Sequence, residues 1–184
     1  MSRRRVLQGL GGLAVGGLAA GTTIGASSDE QPNEQRNYAE IAFRQQTIDG
    51  TSLTVDRTYV EHDGFITIHT WNLVAEQNGA GTIIGVSGLL EAGENGEGRE
   101  YRDQEIALFD GGTGFSSAFE GRVRLWDDQT LIAVPHRDIN GNGEFDFTTE
   151  PHVDIPFTNG SRMRGDLPVD GAVNDQAQVT VTEP

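Results

Sequence analysis

The side chains best placed to do chemistry lie in His136-Arg137-Asp138-Ile139-Asn140-Gly141-Asn142-Gly143-Glu144-Phe145-Asp146-Phe147. Counted from Asp138, side-chain oxygens fall at positions 1, 3, 5 and 9, on Asp138, Asn140, Asn142 and Asp146, and Gly143 holds position 6. That spacing suits a hard cation such as calcium, because alternate residues turn oxygens inward and the glycine permits the sharp bend. Glu144 would add its backbone carbonyl. Position 12, a bidentate glutamate in helix-loop-helix calcium hands, is Thr149 here, which leaves Glu150 and Asp154 to take its place. His136, close to Asp138, is a candidate to orient that carboxylate from behind. The same residues also suit a metal-free turn, in which Asn and Asp bond their own backbone and Gly takes a positive φ.

Other chemistries are weaker. The four histidines, His62, His69, His136 and His152, form no His-x-His or His-x3-His pair, so they do not read as a zinc site. Gly85-Val86-Ser87-Gly88 falls short of a nucleophile elbow. Carboxylates are too many for any pair to single out a hydrolase. Trp71 and Trp126 would make a carbohydrate platform if exposed on one face, against an ordinary packing role at strand ends. With no cysteine there is no disulfide framework, thiolate metal site or cysteine nucleophile.

The elements that position the loop read as strands. β-rich runs begin near Tyr38 with Ile41 and Phe43 and recur at Leu53 to Val60, Phe65 to Trp71, Thr82 to Ser87, Glu100 to Leu108, Arg122 to Trp126, Thr130 to His136 and Gln178 to Thr182. Turn dipeptides Asp49-Gly50 and Asp63-Gly64 separate them, and the one candidate helical turn is Leu89 to Ala92. The class expected is all-β, an antiparallel Ig-like β-sandwich, with a β-barrel as the alternative.

Composition sets the surroundings. All 13 basic residues are Arg, against 28 Asp and Glu, for a formal charge of −15; residues 1–26 hold three arginines and no acid, so the remainder carries −18. Such a chain repels itself in dilute buffer. In molar salt the screening length is about 3 Å and the repulsion fades, so the composition suits brine. Nucleic acid and anionic lipid are poor partners for it. Ser2-Arg3-Arg4-Arg5-Val6-Leu7-Gln8, ahead of a glycine-diluted apolar run, reads as a twin-arginine signal over residues 1–26, with a disordered polar linker at 27–38 and the β-sandwich at 39–184. The mature chain is not expected to insert in a membrane.

Beyond these readings, Val134-Pro135-His136 through Phe147 resembles an uncharacterised β-rich domain family of secreted and surface proteins from halophilic archaea. Phe43-Arg44-Gln45-Gln46, Val55-Asp56-Arg57, Gly64-Phe65-Ile66-Thr67-Ile68-His69 and Ile84-Gly85-Val86-Ser87-Gly88-Leu89-Leu90-Glu91-Ala92-Gly93 look like its successive landmarks. Asp154-Ile155-Pro156-Phe157 departs from the Asp-Gly-Pro-Tyr expected there. The resemblance implies export, halophily and a β fold, and no reaction. The function expected is a non-enzymatic extracellular domain of the cell envelope or of adhesion, stabilised by calcium, with an envelope protein or glycan as partner. A secreted module binding glycan or a small ligand is the runner-up, and a hydrolase is third.

The paired arginines are the strongest targeting signal in the chain. Replacing Arg3 and Arg4 with Lys is expected to hold the protein inside the cell, measured by fractionation; wild-type amounts of the double variant outside would refute the export reading.

Overall fold

The structure is a computed structural model that describes residues 38–76, 79–109, 119, 121–159 and 171–182. The expected signal, and the expected linker apart from Tyr38, lie outside these residues. Tyr38 already belongs to the domain: its hydroxyl donates to Glu40 at 2.6 Å and its ring meets Tyr59 edge-on.

Among the described residues the strands are β1 (Ala39–Ala42), β2 (Gln46–Ile48), β3 (Ser52–Val60), β4 (Gly64–Thr70), β5 (Ile83–Val86), β6 (Arg99–Ala107), β7 (Gln129–Arg137) and β8 (Asp175–Val181). They form a three-stranded sheet, β1-β3-β6, and a five-stranded sheet, β2-β8-β7-β4-β5. Neither sheet closes into a barrel, so the sandwich holds and the barrel alternative falls. With β2 and β5 set aside as edge additions, β1-β3-β6 and β8-β7-β4 follow the A-B-E and G-F-C orders of an Ig sandwich. One pairing is parallel: β2 runs alongside β8, because the chain crosses from one sheet's edge to the other between Ala42 and Gln46.

The main core lies between the sheets. Leu53, Val55 and Ile106 meet Ile66, Ile68, Leu131, Ala133 and Val179 there, each at or near zero exposure. Alternation sends Leu53 and Val55 of β3 inward, then slips by one residue at Asp56 and Arg57, so that Thr58 and Val60 are the buried pair beyond. β4 and most of β7 are instead buried on both faces. Opposite Ile66 and Ile68, the outward side of β4 carries Phe65, Thr67 and His69, in register with His136, Val134 and Ile132 of β7. This outer face needs a cover of its own. A short helix, α1 (Asn72–Glu76), supplies Leu73, which packs with Ile132, Val134 and Ala172. The chain from Asp138 to Asp154 supplies Phe145 and Phe147, which pack with Phe65 and Ile83.

Two local expectations are corrected, and one strand escapes the sequence. Arg122 to Trp126 forms no strand: Leu125 is drawn into the core and its N–H donates to the Gly50 carbonyl at 2.7 Å, so the segment is held by a turn. Leu89 to Ala92 forms no helical turn, because Leu90 exchanges backbone hydrogen bonds with Gly64 at 3.0 and 2.8 Å. β2, at three residues, is too short to show a period and goes unseen in sequence.

β4 and β7 approach most tightly at Gly64, opposite Arg137, where a Cβ would lie 2.0 Å from the His136 carbonyl oxygen. Gly64→Ala is therefore expected to destabilise the protein by about 1–3 kcal/mol or more, since the strands must part to admit the methyl group. An unchanged thermal midpoint would contradict this contact.

Candidate functional site

The loop that follows β7 is built on two anchors. The first is apolar. Phe145 and Phe147 turn inward against the His136 ring, edge-on with centroids at 5.3 and 4.9 Å, and Phe145 also meets Phe65 at 5.5 Å. Burying a ring of this size contributes roughly 1.5–3 kcal/mol, enough to press the loop onto the sheet. The second anchor is polar. Asp154 is fully buried with φ +54, and its carboxylate accepts the N–H of Asp146 at 2.6 Å and of Ile139 at 3.3 Å. Its carbonyl accepts from His136 Nδ1 at 2.5 Å. Asp154 thus ties the start and the end of the loop to the strand beneath it. Beyond it, Ile155 and Phe157 bond to Arg137 and Pro135, extending the sheet past the point where β8 stops pairing with β7.

Between the anchors the oxygen-bearing side chains converge. Asp138 accepts the N–H of Gly141 at 2.7 Å and of Gly143 at 2.9 Å, one on each oxygen. Asn140 and Asn142 both direct their amide nitrogens at the same oxygen of Asp146, at 3.0 and 2.8 Å. Their carbonyl oxygens accept the N–H of Asn142 and Glu144, each two residues on. Thr149 and Glu150 donate their N–H groups to the Asp146 carbonyl. As described, the loop satisfies itself. No three of its carboxylates or histidines, nor any other such group among the described residues, stand close enough to hold a metal by themselves.

The donor set nevertheless fits a weak hard-cation site. Burial raises the Asp154 carboxyl above its usual value, and the charges of Asp138 and Asp146 push it further. Three carboxylates repelling one another beside two amides that a half-turn converts from donor to acceptor is an arrangement that a divalent ion relieves. Binding would exchange the two Asn turn bonds for ion contacts. Asp138, Asn140, Asn142 and Asp146, with the Glu144 carbonyl, are the residues that would hold it. Asp154 lies behind them as an organiser. Its importance is visible in sequence only as one more aspartate. Glu150 is exposed. The orienting role expected of His136 is corrected: it donates to the Asp154 carbonyl and not to the Asp138 carboxylate, because its ring lies under the loop on the outer sheet face.

Other candidates sort by burial. Ser87 is held on both sides, accepting from Ile66 N–H and donating to the Gly88 carbonyl, each at 2.8 Å. A cavity of about 250 Å³ opens between the end of β5 and the loop, against Phe65, Val86, Ser87, Leu89, Glu144 and Phe145. Glu144 is the one carboxylate in its lining, and His136 and His152 do not meet in it. Trp71 and Trp126 are 45% and 60% exposed. No helix among the described residues is long and apolar enough to cross a membrane.

With the architecture in place, residues 39–99 match a domain of unknown function (DUF7282), and the resemblance to an uncharacterised family of halophilic archaeal surface proteins holds. The chain is 32% identical over 158 residues, 84% of its length, to Cell surface glycoprotein 2 of Haloarcula hispanica, and 30% identical over 159 residues, 85% of its length, to Cell surface glycoprotein 1 of that organism. It spans about 13% of the length of each of these relatives. The family match ends before the loop, whereas the alignments with the two glycoproteins run over most of the chain. No solved structure matches.

Two histidines lie under this cover, His69 and His136, stacked with centroids 6.4 Å apart. His69 is bridged by the Thr67 and Thr82 hydroxyls at 2.8 and 3.0 Å. Burial holds it well below the ordinary histidine range, and the neighbouring His136 lowers it further. Burial also takes His136 down to about 4, although its bond to the Asp154 carbonyl works the other way. Both are neutral in the folded state near neutrality, while the unfolded chain takes up protons near pH 6.5. Stability is therefore full above about pH 6.5 and falls as pH drops toward 4. For His136 the gap, at about 1.4 kcal/mol per pH unit, amounts to on the order of 3 kcal/mol. The raised Asp154 opposes this, since its folded carboxyl keeps a proton to higher pH than the unfolded one does. Thermal midpoints across pH 7.5 to 4.5 are expected to fall, and His136→Asn, which keeps a donor toward Asp154, should flatten the slope; a level wild-type profile would overturn this account.

Proposed function

We propose that this chain is a non-enzymatic domain of the cell envelope or of adhesion, exported by the twin-arginine route and stabilised by calcium at the Asp138–Asp154 loop. The observation that carries the location is the likeness, over 84% and 85% of the chain, to two cell surface glycoproteins. The acidic, lysine-free composition agrees with work in brine. The non-enzymatic reading is supported by where the perturbed groups lie. His69, His136 and Asp154 are buried in packing and tied to backbone or hydroxyl partners, so their shifted acidities follow from structural burial and do not meet in a cleft. An envelope protein or a glycan is the partner class this implies.

Calcium is favoured over magnesium because the loop offers irregularly spaced side-chain oxygens and a carbonyl, whereas magnesium demands near-octahedral geometry and keeps its waters. Two of the four side-chain ligands are neutral amides and Thr149 replaces the bidentate acid, so affinity should lie at roughly 10⁻⁴ to 10⁻³ M, the range of extracellular modules. Bound calcium would clamp β7 to the extension that begins at Ile155.

At constant molar NaCl, calcium at ten to a hundred times its dissociation constant is expected to stabilise the wild type by about 1.4–2.7 kcal/mol, read as a rise in thermal midpoint. Asp146→Ala should remove that increment. A wild-type midpoint indifferent to calcium up to tens of millimolar would reduce the loop to a turn.

A further inference from the structure

The two indoles stand at the end of the sandwich away from the loop. Trp71 follows Thr70, the last residue of β4, and Thr70 pairs with Leu131 near the start of β7; Trp126 lies just before β7 opens at Gln129. The antiparallel register brings both to one end of the five-stranded sheet, and both are exposed. In molar salt this is costly, because salt strengthens the association of apolar surfaces. A strongly acidic chain keeps its two tryptophans exposed there, alongside Val74 and Val123 among the exposed apolar side chains of the described residues.

Trp126 is also held in place. The Arg124 guanidinium lies 4.6 Å from the ring centroid and donates to the carbonyls of Asp49 and Thr182. Leu125, 2% exposed, plugs the core and bonds Gly50. Gly50 itself, at φ +94, leaves no room for a Cβ, which would lie 2.3 Å from the Leu125 carbonyl oxygen. On the other side, Asp128 accepts the Val181 N–H at 2.8 Å. The indole therefore has a cation over one face, substantial exposure and a fixed base, flanked by the exposed acids Asp127 and Asp128. Fixing an aromatic before binding removes the ordering cost that a mobile side chain would incur.

We propose that this end of the domain is a platform for a neutral polysaccharide. The C–H face of a pyranose ring stacks on the free side of Trp126, sugar hydroxyls donate to Asp127 and Asp128, and Trp71 receives a further part of the chain. A uronate or sulfate set against Asp127 and Asp128 meets acceptors and no donors, so these carboxylates select against anionic glycans at contact distance even where salt screens longer-range repulsion. Val74 and Val123 add exposed apolar area at this end, but Trp126 stands between a guanidinium and two acids, a setting that offers hydrogen bonds to sugar hydroxyls and not the charge-depleted centre that a protein interface buries. The site is separate from the calcium loop, and it rests on the surface location proposed above only for where such a glycan is met.

The test uses the exported chain in molar NaCl, with maltohexaose and cellohexaose as neutral probes and polygalacturonate as the anionic one. Tryptophan fluorescence and calorimetry provide the readouts, and both fluorophores belong to the site. A saturable change is expected with at least one neutral hexasaccharide and none with polygalacturonate. Trp126→Ala should weaken binding by roughly tenfold or more and Trp126→Phe by less, with thermal midpoint and calcium response unchanged. The proposal is overturned if neither neutral probe binds at millimolar concentration, if Trp126→Ala binds as well as wild type, or if the fluorescence follows protein concentration alone with dimers in sedimentation, which would make this end a contact between copies. A negative result here leaves the calcium response intact, so the two readings fail separately.

Discussion

The constraint from which the site follows is that β4 and β7 are apolar on both faces. A two-sheet sandwich covers only the inner one. The outer row of Phe65, Thr67 and His69 against His136, Val134 and Ile132 has to be covered by something else, and the polypeptide after β7 does much of it. Once that polypeptide lies over the sheet, its backbone polar groups leave water and need partners. Asp154 provides them: one buried carboxylate takes two N–H groups and one carbonyl takes the imidazole. A buried acceptor with several donors stabilises, whereas an unpaired one destabilises by about 1–3 kcal/mol, so this residue is fixed by the geometry around it.

That arrangement couples packing to charge. The phenylalanines hold the loop inward, which sets Asp154 in a buried place where desolvation, and then the charges of Asp138 and Asp146, raise its carboxyl above the usual value. The histidines beneath contribute in the opposite sense, being neutral near pH 7 because burial disfavours the protonated ring. One layer of structure therefore carries both the oxygen-rich loop and the buried histidines beneath it.

The far end of the sandwich follows a different logic. There the sheets are joined through Gly50 and Leu125, and the irregular segment between them and β7 carries an aromatic outward on a rigid base. One end is closed by a polar loop and the other bears exposed indoles.

Sequence by itself determined the all-β class, the acidic, lysine-free composition and the position of the oxygen-rich loop, because these rest on local quantities: alternation of side chains, charge count, and residues within a dozen positions of each other. The strands β3, β4, β6 and β7 were legible for that reason, since each is long enough to show its period. Tertiary structure decided the rest. That Asp154 and not Asp138 receives His136, that Phe145 and Phe147 are a lid for the outer face, that Arg122 to Trp126 is a turn seated on Gly50, and that β2 crosses to pair parallel with β8 all depend on contacts between residues distant in the chain. A buried carboxylate differs from a surface one in what surrounds it, and those surroundings exist only after the sheets have packed.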